Sequence, residues 1–96
     1  MQSPSEHIAA YFARVDAQLD ATTDNGARAV FLNGQIERWE RLLTLLLRWA
    51  SGGLTGPNPV GPGANAWDVT ETITGLCQRL ARVEQAARDQ IREAAL

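Results

Sequence analysis

Apolar residues recur every three to four positions in three separate stretches of this chain, and nowhere alternate singly with polar ones. A period near 3.6 marks helices with one face turned inward, whereas a period of 2 would mark strands. The pattern therefore predicts an all-α protein of three helices, over about residues 4–22, 27–51 and 66–95.

The first helix opens on Ser3-Pro4-Ser5-Glu6. A hydroxyl there can cap the first free amides, a proline gives up no amide at the first helical position, and a glutamate can reach back to the cap. Ile8, Tyr11, Phe12, Val15 and Leu19 follow as one stripe, with Arg14, Asp16, Gln18 and Asp20 opposite. Thr22-Thr23-Asp24-Asn25-Gly26 then forfeits roughly 3 kcal/mol of helix propensity relative to alanine. Asp24 also suits the start of a new helix better than the end of an old one. A break or sharp kink is favoured here; one continuous helix from 4 to 51, kinked near Gly26, is the alternative.

Helix 2 carries the broadest apolar surface. Leu32, Ile36, Trp39, Leu43, Leu46 and Ala50 form a stripe, flanked by Phe31, Leu42 and Trp49 on one side and Leu47 on the other. Together they span about 160° of the helix, against about 100° for an ordinary surface helix. Such a helix should touch two neighbours or more, which puts helix 2 at the centre. Leu45 falls outside even this arc. A short chain buries too little surface to be strongly stable alone. The expectation is therefore a homodimer that completes the bundle through Ile36, Trp39, Leu42, Leu43, Leu45 and Leu46.

Residues 52–64 hold glycines and prolines but no periodic pattern, as a loop does. At about a dozen residues it is long for a helix–helix connection, which makes it a candidate for function. Helix 3 begins near Asn65 or Asp68, and Val69, Ile73, Leu76, Leu80, Val83, Ala87, Ile91 and Ala94 step along it almost as a coiled-coil seam.

Composition narrows this picture further. The chain is one domain, residues 1–96, with a formal net charge of −2, which gives no general attraction to nucleic acid or acidic membranes. All nine cationic residues are arginine, the usage of a GC-rich bacterial or phage genome. No apolar run approaches the roughly 20 residues of a membrane span, and the expected location is the cytoplasm.

The candidate chemistry is sparse. His7 stands alone near a helix start and has no companion ligands for zinc. Asp16, Asp20, Glu37 and Glu40 read as solvated helix faces, and Cys77, beside the helix 3 seam, as a buried small residue. The glycine-rich loop lacks the phosphate-loop spacing and any lysine. No enzyme activity, cofactor or metal is expected. Trp49 and Trp67 bracket the loop, either pinning it or offering aromatic anchors of the kind that dominate interfaces. The reading is a small non-enzymatic module, an adaptor, regulator or inhibitor, that binds a protein partner through Trp49, Leu54, Pro57, Pro59 and Trp67. The alternatives are a nucleic-acid-binding regulator using Arg79, Arg82 and Arg92, and a metal or enzyme site built on acidic helix faces.

Overall fold

A computed structural model describes the backbone of residues 4–95 and the side chains of residues 7–95. The expected cap by Ser3 and Glu6 lies outside the described side chains. Three helices and no strand are found among the described residues: α1 (Pro4–Ala21), α2 (Asn25–Ala50) and α3 (Ala66–Ala95). They form a long, thin bundle of 57 × 27 × 17 Å.

The chain breaks between α1 and α2, and each broken end finds partners. The Thr22 hydroxyl donates to the Gln18 carbonyl, and the Arg28 side chain donates through Nε to the Leu19 carbonyl. These two contacts satisfy carbonyls that the end of α1 leaves open. Asp24 is the N-cap of α2, with extended backbone (φ −97°, ψ 124°) and a carboxylate that accepts from the Ala27 amide at 2.9 Å. Its charge also complements the positive end of the helix. The break thus centres on Thr22–Asp24 rather than on Gly26, because a cap needs a side-chain acceptor, which glycine lacks.

At its other end α2 stops in a Schellman motif. The Gly53 amide reaches back to the Arg48 carbonyl (2.8 Å) and the Gly52 amide to that of Trp49 (3.1 Å). Gly52 sits at φ +85°, a conformation other residues adopt only with strain. Across the loop, the Asn65 side chain accepts from the Asp68 amide at 2.9 Å and starts α3. Of the two start points open to the sequence, Asn65 is the one used.

α2 and α3 pack along one another as an antiparallel pair, and α1 lies against α3 while reaching α2 through its aromatic side chains. α3 therefore shares the middle of the bundle with α2. The core comprises Val15 from α1, Leu32 and Ile36 from α2, and Leu76 and Val83 from α3. Leu32 and Leu76 are wholly buried, each contributing about 1.5–3 kcal/mol relative to an exposed side chain. One glycine permits the α1–α3 approach. A Cβ on Gly75 would lie 2.6 Å from the tip of the Phe12 ring, so this ring rests directly on the α3 backbone.

Two expectations fail, for related reasons. The α3 seam does not stay covered to its end, since Ile91 is 71% exposed. α2 begins at Asn25, whose amide donates to Gln90, and beyond that pair no helix lies alongside α3. Cys77, expected to be buried, is exposed, because α1 and α2 cover the side of α3 that carries Leu76 and not the neighbouring one.

Candidate functional site

The loop after α2 is held in place by side chains. Trp49 is half-buried and donates its indole N–H to the Gly56 carbonyl at 2.9 Å. Asn58 accepts from the Val60 amide (3.0 Å) and donates to the Ala64 carbonyl (2.8 Å), which closes the second half of the loop on itself. Leu54 and Pro59 are half-buried and Pro57 is exposed. Trp67 stands 71% exposed in the first turn of α3. The five residues expected at a partner surface thus divide by role. Trp49, helped by Asn58, fixes the loop; Leu54 and Pro59 are partly covered; Pro57 on the loop and Trp67 on α3 face outward. Asn58 has no periodicity to mark it, and only its position between two prolines hints at a turn.

The residues expected at a self-association surface are also separated. Ile36 and Leu46 are 8% and 3% exposed and are spent within the chain's own core. Trp39, Leu42 and Leu43 are half-buried. Leu45 is 37% exposed, and Leu47 on the other flank is 53% exposed.

A concave site lies elsewhere. α1, α2, the end of the loop and the start of α3 line a half-open groove of about 650 Å³. Ile8, Tyr11 and Arg14 of α1 form one wall and Phe31, Arg38 and Trp39 of α2 another. Val60, Gly61, Pro62 and Ala64 of the loop and Val69 of α3 line a third side, and the groove is open to solvent beyond them. Its two helical walls meet through aromatic rings: Tyr11 packs edge-on against Trp39 at 5.2 Å and, behind the groove lining, against Phe12 at 5.4 Å. The Tyr11 hydroxyl donates to the Gln35 side chain at 2.7 Å. Burial pushes the Tyr11 phenol above its ordinary pKa, partly offset by the adjacent Trp39 indole N–H and by Arg38 and Arg14. That indole nitrogen is itself fully buried, and no acceptor meets it in hydrogen-bonding geometry. Sequence periodicity identifies Trp39 as core. It could not foresee the groove, which depends on α1 and the loop meeting over α2.

The charged residues fall mostly outside the groove. Asp16 and Arg79 form a two-pronged ion pair (2.7 and 3.0 Å), and the Arg79 guanidinium also lies 4.2 Å above the centre of the Phe12 ring. Arg79 holds the Asp16 carboxyl below its ordinary pKa. Asp16 was expected to be merely solvated; its partner is 63 residues away in the chain, a pairing no local pattern reveals. Arg79 is thereby engaged within the fold. Among the described residues, no three of histidine, cysteine, aspartate and glutamate converge as metal ligands, and no helix is long and apolar enough to cross a membrane. No family model, no curated protein and no solved structure matches the chain.

Proposed function

We propose that the chain is a non-enzymatic interaction module that binds a protein partner through the outer side of the loop and the start of α3. The observation that carries this reading is Trp67, 71% exposed beside a loop whose backbone is already fixed by Trp49 and Asn58. A large aromatic on a preorganised surface loses little entropy on binding and can supply much of an interface's energy. Pro57 adds a second rigid apolar contact. Association of two copies is part of the proposal, carried by Leu42, Leu43, Leu45 and Leu47 on the outer flanks of α2.

Two measurements test it. A protein captured from the source cells by the wild-type chain, then purified, should bind the wild type directly and lose at least about tenfold in affinity to Trp67→Ala. Equal binding by a folded Trp67→Ala chain would overturn the loop surface. Sedimentation that gives a monomer at tens of micromolar would remove the dimer. The nucleic-acid reading is weaker, because Arg79, one of its three arginines, is already held by Asp16 and Phe12.

A further inference from the structure

α1 covers only one side of the α2·α3 pair. Gly75 and Arg79 mark that side on α3, through Phe12 and Asp16, and Gln35 and Trp39 mark it on α2, through Tyr11. At about 100° per residue the opposite side carries Leu43 and Leu47 of α2 and Ile73 and Leu80 of α3. Leu47 is exposed and the other three are half-buried, with α1 on the far side of the pair. We infer that this face receives a second copy of the chain, with the two α2 helices antiparallel about a two-fold axis at Thr44. The inference rests on the self-association proposed above and says which flank of α2 carries it.

Two observations set the same register. The first is shape. Glu37, Glu40, Arg41 and Thr44 ring a shallow hollow on the outer side of α2. Their spacing, i, i+3, i+4 and i+7, is that of the hole into which a neighbouring helix sets a knob. The hollow centres about 5 Å before Thr44 along the helix, and the exposed Leu47 stands about 5 Å after it. A two-fold axis at Thr44 therefore seats each Leu47 in the other copy's hollow, against the aliphatic stems of its glutamates and arginine. The second is charge. Glu40 and Arg48 stand four residues either side of Thr44. Both are exposed, and neither has an ion-pair partner among the described residues. The same axis sets each Glu40 beside the second copy's Arg48, so that two ion pairs form. Such a face is its own complement, since knob and hollow, and acid and base, lie equally far on either side of one point; that is the property of an isologous contact. Helix α3 follows. Asn25 is bonded to Gln90, which puts Thr44 level with about residue 71 of the antiparallel α3, so Ile73 falls near the axis and meets its counterpart. The two α2 helices overlap over about fourteen residues, roughly 20 Å, which makes this a weak, reversible dimer.

Sedimentation of the full chain over a concentration series, up to several hundred micromolar, tests it. Glu40→Arg and Arg48→Glu, both at exposed positions, each bring like charges together twice and should raise the dimer dissociation constant at least about tenfold. An equimolar mixture of these two variants restores opposite charges at both contacts and should associate as the unaltered chain does. Leu47→Gln should also weaken the dimer at least about tenfold, whereas Leu45→Gln, about 160° round the helix from Leu47, should leave it unchanged. A second arm needs neither charge variant. In a Cys77→Ser background, Thr44→Cys should give a disulfide-linked dimer under mild oxidation, while Asn33→Cys, about 33 Å from its counterpart, should not. A dimer indifferent to the charge variants, a mixture that stays monomeric while both variants remain helical, or cross-linking at residue 33 and not at 44 would overturn this interface and leave the association itself standing. A monomer throughout the series would remove both.

Discussion

Replacing Gly75 by alanine sets two effects of known size against each other. In the interior of a helix the exchange is worth about 1 kcal/mol in favour of alanine, from reduced unfolded-state entropy and better propensity. At this position the new methyl would lie 2.6 Å from Cζ of Phe12 and 3.2 Å from both of its ε carbons. The ring must therefore move. It is not free to do so cheaply, because Arg79 lies 4.2 Å above it and Tyr11 meets it edge-on at 5.4 Å. Arg79 is in turn fixed by Asp16 and by the Gly75 carbonyl itself, at 3.1 Å. Forcing extra volume into such a contact costs about 1–3 kcal/mol. The sum is a destabilisation of up to about 2 kcal/mol, or roughly 4–8 °C in Tm for each kcal/mol in a domain of this size. The measurement is a double-mutant cycle by urea unfolding, followed by far-UV circular dichroism. In a Phe12→Ala background the clash is gone, and Gly75→Ala should stabilise by about 1 kcal/mol. The sign of one substitution then depends on a residue in another helix. If Gly75→Ala stabilised the unaltered chain, or had the same effect in both backgrounds, Phe12 would not rest on α3 as described.

Asn25→Ala should destabilise the fold by about 1–3 kcal/mol in the same unfolding assay, since Asn25 is only 9% exposed and bonded to both Gln90 and Arg28; a neutral outcome would mean that water replaces both bonds at no cost. Asp16 has a folded-state pKa below its unfolded value. Its stabilisation is therefore complete above the ordinary carboxylate range and is lost as pH falls through the folded value. Asp16→Asn should flatten that part of the stability–pH curve, by a small amount because the pair is solvent-exposed. Trp49→Phe deletes the donor to the Gly56 carbonyl; hydrogen exchange should speed up within 53–64 while global stability falls by no more than about 1.5 kcal/mol. Cys77, being exposed, should react with a thiol reagent in the native protein about as fast as in urea, and protection would contradict the orientation of α3.

Helix type and extent are legible in the residues because they follow from local spacing. Periodicity, the Asp24 cap, the paired glycines after Ser51 and the Asn65 cap place all six helix ends to within two residues. The break at Thr22–Asp24 is equally local, since short polar side chains that bond their own backbone compete with a helix wherever they cluster. The same holds for the central part of the α3 seam, where Val69, Leu76 and Val83 are buried at heptad spacing.

What tertiary structure decided is everything that depends on which helix lies opposite a given face. Periodicity states that a face is apolar, but not how far along its length a neighbour will cover it. Ile91 and Val83 look alike in the sequence; only Val83 lies where α2 runs alongside. Ile36 and Leu45 both looked available to a second copy, and the first is consumed by the chain's own core. Asp16 and Arg79, Gly75 and Phe12, and the groove over Trp39 each join residues distant in sequence. Their meeting depends on helix register and crossing, which are set by the summed packing of many side chains rather than by any short pattern. The sequence by itself determined three helices, their ends and their apolar faces. Packing decided which of those faces were spent on folding and which stayed exposed.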